Sequence, residues 1–214
     1  FGSAMPGGRR KNMTPIQAYR QGLRTIRKAV GRSFVLGCGA PLLPSAGLVD
    51  GMRIGEDTAP YWKTRPSAFQ GPNAFFALKN ALLRQFMHRK FWLNDPDCVL
   101  VRNREIELAA NERELYTLSA GALDNMLIDS DNLSLVTADG KALFKRAVGL
   151  RGGKTRVLDI LDEDSYRIES RGGPAGDFVF AVNLSDENRN IKGSTVGSRS
   201  GSFLTPPTSH RGKK

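Results

Sequence analysis

The stretch that most constrains this chain runs from Phe34 to Asp57, FVLGCGAPLLPSAGLVDGMRIGED. Its two short apolar runs, Phe34 to Leu36 and Leu48 to Ile54, read as buried strands. The loop between them carries Pro41 and Pro44 and cannot be regular structure. Each run ends in small or ionisable residues, Gly37-Cys38-Gly39 after the first and Arg53 to Asp57 after the second. In parallel α/β folds, reacting groups gather where strands reach their carboxyl ends. A thiol, a guanidinium and two carboxylates delivered there make this stretch the candidate floor of a site.

The flanking sequence supplies the crossovers that parallel strands need. Thr14-Pro15 is a helix start, a hydroxyl cap followed by proline in the first turn. Ile16, Tyr19, Leu23, Ile26 and Val30 recur at spacings of three and four, which predicts one buried helical stripe, and Gly31 stands where a C-terminal cap belongs. Arg20, Arg24, Arg27 and Lys28 fit its solvent face. Helical spacing returns from Asn73 to Phe91, Glu112 to Asp124 and Ala138 to Leu150, with strands predicted at Cys98 to Val101 and Asn125 to Ile128. Residues 14–150 thus read α-β-β-α-β-α-β-α: a small open sheet or half of an eight-stranded barrel. After Gly152-Gly153 the pattern turns to strand alternation at Thr155 to Ile160, Ser165 to Ser170 and Phe178 to Leu184. From Ser185 onward Gly, Ser, Arg and Lys dominate, and a disordered basic tail is expected from about residue 186.

On this reading Cys38, Gly39, Arg53, Glu56 and Asp57 are the strand-end candidates, joined by Arg102, Asp129 and Asp131 after the later strands. Asn94, Asp95 and Asp97 precede their strand and are expected to cap a turn on the opposite face. On residue type alone, a carboxylate beside an arginine reads first as a salt bridge. His88 and His210 have no partner at metal-ligand spacing, and no phosphate loop, GxSxG elbow or HExxH occurs. Cys38 and Cys98 form no CxxC pair and are expected as reduced, buried thiols.

The net charge of +11 is uneven: the first carboxylate in the chain is Asp50, whereas residues 103–150 are net acidic. Without basic–aromatic interleaving or a nucleic-acid motif, this charge is not read as a nucleic-acid surface. No apolar run approaches the roughly 18–20 residues of a membrane span.

The segment GCGAPLLPSAGLVDGMRIGEDTAPYW closely resembles the part of glycoside hydrolase family 36 α-galactosidases that carries their general acid/base. The resemblance extends through TPIQAYRQGLRTIRKAVG, FMHRKFWLNDPDCVLVR and LSAGALDNMLIDSDNLSLV, covering about residues 1–150. It implies a (β/α)8 barrel followed by an antiparallel β-sandwich, and hydrolysis of terminal α-galactosides with retention by two aspartates. Residues 1–150 would be the second half of the barrel, 151–185 part of the β domain, and 186–214 the basic tail.

Carried over position by position, Asp57 matches the acid/base and Arg53 a substrate-contacting arginine. Cys38 and Gly39 match a stretch lying against the sugar, and Trp62 a pocket wall or a core residue. Glu56 departs from the proline usual before the acid/base. The nucleophile belongs to a strand expected just before Phe1, so the chain is expected to be a C-terminal portion, inactive alone. The resemblance further implies substrates of the melibiose and raffinose type, no cofactor or metal, and room for a homo-oligomer in the full-length enzyme. The charge and hydropathy patterns add the expectation of no nucleic-acid or membrane partner, and the two unpaired cysteines fit a cytoplasmic setting. Transfer of galactose to another sugar, as in raffinose synthases, and a non-catalytic half-barrel are the alternatives.

Overall fold

The computed structural model of the chain describes residues 12–63 and 71–204. It opens with helix α1 (Pro15–Val30), closed at its start by a reciprocal capping box: Gln17 N–H donates to Thr14 Oγ1 and Thr14 N–H to Gln17 Oε1. Strand β1 (Leu36–Gly37), the short helix α2 (Leu42–Ser45) and strand β2 (Gly51–Arg53) follow. Helix α3 (Ala74–Leu83), capped by Asn73, then crosses to strand β3 (Leu93–Asp95). The sheet is parallel in the order β1-β2-β3, with Gly37 abreast of Met52 and Arg53 abreast of Asp95.

This register corrects the expected strand positions. The third strand is Leu93–Asp95, and Cys98 to Val101 contributes only an isolated parallel bridge from Val99 to Asp129. Segment 125–129 forms no regular strand, although Met126 N–H donates to Asn94 O and Val99 N–H to Ile128 O, continuing the ladder. Burial explains how so polar a triplet can be a strand. Asn94 and Asp95 are fully enclosed. Asn94 Oδ1 accepts from Trp92 Nε1, and its Nδ2 donates to Arg84 O. Polar groups satisfied inside the fold can occupy positions that otherwise call for Val or Ile.

The stripe of α1 is also not buried: Ile16 is 56% and Ile26 51% exposed. The helix lies against α2 and the loop leading into β2, and polar contacts hold it there. Arg20 Nη1 donates to the carbonyls of Pro44 and Ala46, Tyr19 Oη meets Ser45 Oγ at 2.6 Å, and Arg27 Nη2 pairs with Asp50 Oδ2 at 2.6 Å. Arg20 and Arg27 therefore face the body of the protein and not solvent.

Helices α4 (Ala110–Ala122) and α5 (Ala138–Gly149) complete the α/β part. An antiparallel sheet follows, built from β4 (Lys154–Leu158), β5 (Ser165–Arg171) and β6 (Phe178–Asn183). The expected disorder from residue 186 does not hold through residue 204. Strands β7 (Arg189–Ile191) and β8 (Ser194–Val196) form a hairpin, and β9 (Ser200–Leu204) joins the larger sheet beside β6. Two physical features order this glycine- and serine-rich run. Lys192 and Gly193 both adopt positive φ, as a tight two-residue hairpin turn requires. The buried Asn183 amide donates to the carbonyls of Glu187, Val196 and Gly197, closing the loop around it. Residues 205–214, including His210, lie outside the described residues.

One apolar core joins both parts, running from Met52, Ile54, Leu78 and Leu82 to Leu115, Tyr166, Ile168, Phe180 and Leu184. The architecture is thus a partial α/β barrel followed by antiparallel β-sheet, and the sheet is fixed against α4.

Candidate active site

The carboxyl ends of β1, β2 and β3 converge. Register places Cys38, one residue past Gly37, beside Arg53 at the end of β2, and Asp95 flanks Arg53 on the other side. Cys38 is exposed, contrary to the buried thiol expected, and Gly39 follows with φ +61°, a backbone state open to glycine. Cys38, with Gly39 following it, and Asp57 thus both lie at Arg53, the first by register and the second by ion pair.

Arg53 is the hub. Its Nη1 lies 2.8 Å from Asp57 Oδ1, its Nε 3.1 Å from Asp95 Oδ2, and its Nη2 2.8 Å from Asp97 Oδ1. Burial works against its charge, but the Asp95 and Asp97 carboxylates, with a smaller part from Cys38, outweigh that and raise its pKa above the ordinary arginine value. Asp57 differs from its partners in accessibility. Its side chain is 64% exposed, whereas that of Asp95 is fully enclosed. Among these carboxylates, Asp57 is the one a solvent-borne molecule can reach.

Asp95 and Asp97 stand on the same face as Arg53, not on the opposite one. The expectation failed because β3 ends at Asp95 and does not begin after it. The signal available was the apolar pair Trp92-Leu93 immediately upstream, which starts the strand. Asp97 takes φ +80°, its Oδ2 accepts Thr58 N–H at 2.7 Å, and Asp97 N–H donates to Asp95 Oδ1 at 3.0 Å. Tyr116 of α4 closes the turn from beneath, donating its hydroxyl to Pro96 O at 2.8 Å.

Trp62 lies in the core, 4% exposed, its ring edge-on to Phe75 at 5.8 Å. Of the two readings open for it, packing is the one this burial fits. Arg102, Asp129 and Asp131 form a cluster of their own, with Arg102 Nη1 at 2.6 Å from Asp131 Oδ1. His88 is buried away from the site, its Nδ1 accepting from Asn94 N–H and its Nε2 3.5 Å from Asp124. A cleft of about 640 Å³, lined by Gln85, His88, Arg89, Thr155 and Arg156, contains none of Cys38, Gly39, Arg53 and Asp57.

No family model matches the chain. Solved structures do. An α-galactosidase from Thermus thermophilus in complex with stachyose matches with a TM-score of 0.58 at 31% sequence identity, over 64% of this chain and 31% of that one. The fold is that of α-galactosidase-type glycoside hydrolases. The same Thermus enzyme in complex with p-nitrophenyl α-D-galactopyranoside matches with a TM-score of 0.55 at 29% identity, over 76% of this chain and 33% of that one. A family 27 β-L-arabinopyranosidase from Geobacillus stearothermophilus shares the fold at 13% identity, with a TM-score of 0.67 over 91% of this chain and 55% of that one. The chain spans about a third of the length of the Thermus enzyme. Among the described residues no helix is long and apolar enough to cross a membrane.

Proposed function

We propose that this chain carries the acid/base half of a retaining α-galactosidase site of the glycoside hydrolase family 36 type, with Asp57 as general acid/base. The observation that carries the reading is the Arg53–Asp57 pair, 2.8 Å apart at the carboxyl end of β2, with Asp57 open to solvent. The Thermus structures, which hold stachyose and an aryl α-galactoside, support galactosides as the substrate class. Arg53, Cys38 and Gly39 would border the sugar.

In the first step a carboxylate nucleophile attacks the anomeric carbon while protonated Asp57 gives its proton to the leaving glycosidic oxygen. In the second, ionised Asp57 takes a proton from water, which attacks the glycosyl–enzyme ester and releases galactose with retained configuration. Retention needs the two carboxyl groups roughly 5–5.5 Å apart. The nucleophile is assigned to polypeptide outside these 214 residues, so this chain is proposed as a fragment of the working enzyme, in keeping with a soluble cytoplasmic protein acting on melibiose- or raffinose-type sugars.

The test is binding, which does not require the second carboxylate. Methyl α-D-galactopyranoside should shift the amide resonances of Cys38, Gly39, Arg53 and Asp57, and methyl α-D-glucopyranoside should not. Equal shifts with both sugars, or galactoside shifts confined to other residues, would overturn the reading.

A further inference from the structure

We propose that Asp95 and Asp97 are positioning residues that aim Arg53 at Asp57, a role that rests on the galactosidase reading of the site. The guanidinium is planar, and its three nitrogens are divided among three carboxylates. Nε and Nη2 form the parallel fork that a single carboxylate would ordinarily take in bidentate fashion. Here the fork is split. Asp95 takes Nε from the neighbouring strand, and Asp97 takes Nη2 from the turn that follows. With that edge fixed at two points, the ring of donors cannot rotate, and Nη1 is left directed at Asp57.

Asp97 acts a second time on the same target. Its other oxygen accepts the N–H of Thr58, the residue next to Asp57. One carboxylate therefore holds both the arginine head and the backbone beside the acid/base. Its own position is over-determined: Cys98 N–H donates to Oδ1 at 2.6 Å, and the Tyr116 hydroxyl anchors the preceding carbonyl. A residue at φ +80° persists only where its surroundings impose it, and these contacts supply that restraint. A site group held by packed neighbours of this kind keeps its geometry without help from the ligand.

A double-mutant cycle on the 214-residue chain separates positioning from mere support of the turn. Asp97→Asn keeps an oxygen for Thr58 N–H but loses the ion pair with Arg53. It should weaken methyl α-D-galactopyranoside binding by about tenfold and have no further effect in an Arg53→Met background. An equal loss in both backgrounds would make Asp97 a structural residue only and overturn the proposal.

Side-chain ¹⁵N–¹H spectra supply an arm independent of sugar binding. Arg53 should show a slowly exchanging Nε–H and separate Nη signals in the unmodified chain, and these should collapse in Asp97→Asn and Asp95→Asn. Freely averaging Arg53 signals in the unmodified chain would overturn the proposal even if a variant failed to fold. Restrained Arg53 signals without galactoside binding would sink the functional reading and leave the positioning geometry standing.

Discussion

Arg53 and Asp57 meet at 2.8 Å, yet the arginine side chain is 16% exposed and the aspartate 64%. Behind the pair, Arg53 is anchored by fully enclosed Asp95 and by Asp97. Asp57 and Asp95 stand at the two extremes of exposure in this network. The two carboxylates should therefore differ in what their loss costs. Exposed ion pairs contribute about 0–1 kcal/mol, so Asp57→Asn should leave stability nearly unchanged. Asp95→Ala removes the fully enclosed partner of Arg53 Nε and the acceptor of Asp97 N–H, breaking a buried ion pair, and should cost about 3–5 kcal/mol. Urea denaturation at neutral pH measures both. Comparable losses for the two variants would contradict the asymmetry.

A second buried carboxylate contributes to the acid sensitivity of the fold. Asp124 is 2% exposed and meets Arg89 Nη2 at 2.7 Å, while its other oxygen accepts Gly152 N–H at 3.0 Å. Burial alone would push its pKa up, but His88, Arg89 and the Gly152 amide outweigh it and bring it down to about 2. A folded value below the unfolded one, about 3.9, means its contribution is complete above that pH and is lost as pH falls towards 2. The contribution is about 2 kcal/mol. Thermal melts stepped downward from neutral pH should show Asp124→Asn less stable at neutrality, with a shallower decline through the acid window. Parallel declines for both proteins would exclude Asp124 as a source.

The sequence exposed the rim of the site more clearly than its support. Cys38, Gly39, Arg53 and Asp57 end apolar runs, and hydrophobic patterning alone brings such residues to the carboxyl edge of a parallel sheet. Asp95 and Asp97 escaped because two of the three residues of β3 are polar: Asn94 is satisfied in the core by Trp92, His88 and Arg84, and Asp95 by Arg53 and the Asp97 amide, partners that hydrophobic patterning does not reveal. Asn-Asp-Pro-Asp is turn chemistry by composition, and tertiary hydrogen bonds override that preference. The tail misled in the opposite sense. Its composition resembles a linker, but the Asn183 side chain, buried at the end of β6, satisfies three of its carbonyls. The stripe of α1 had the right period for a helix, but periodicity says nothing of whether a partner is present to cover it.

Glycine at two helical positions should respond to alanine with opposite signs. A Cβ built on Gly121 of α4 would lie 2.3 Å from the carbonyl oxygen of Ala147 on α5, a backbone atom that cannot step aside. The usual gain for alanine in a helix, about 1 kcal/mol, is then exceeded by overpacking, and Gly121→Ala should destabilise by about 1–3 kcal/mol. Gly22 of α1 has nothing within 4 Å of the same construction, so Gly22→Ala should stabilise by about 0.5–1 kcal/mol. Chemical denaturation of the two single variants decides this. A stabilising Gly121→Ala would show that α4 and α5 are not in close backbone contact.

Turnover by the isolated chain offers the sharpest contrast with the binding test. Retaining hydrolysis needs a free carboxylate opposite the acid/base, and the two nearest through Arg53 are committed. Asp95 uses one oxygen for Arg53 Nε and the other for Asp97 N–H. Asp97 divides its oxygens among Arg53, Cys98 N–H and Thr58 N–H. Both are tied into the Arg53 network, Asp95 is closed to solvent and the Asp97 side chain is only 13% exposed, so neither is presented to an anomeric carbon. The 214-residue chain should therefore bind an α-galactoside without cleaving it, and p-nitrophenyl α-D-galactopyranoside should release no p-nitrophenol above the buffer rate. Release that vanishes in Asp57→Asn would show that a nucleophile lies within this chain after all. Release that survives Asp57→Asn would place the chemistry on a contaminant or on another group, and Asp57 would lose its assignment.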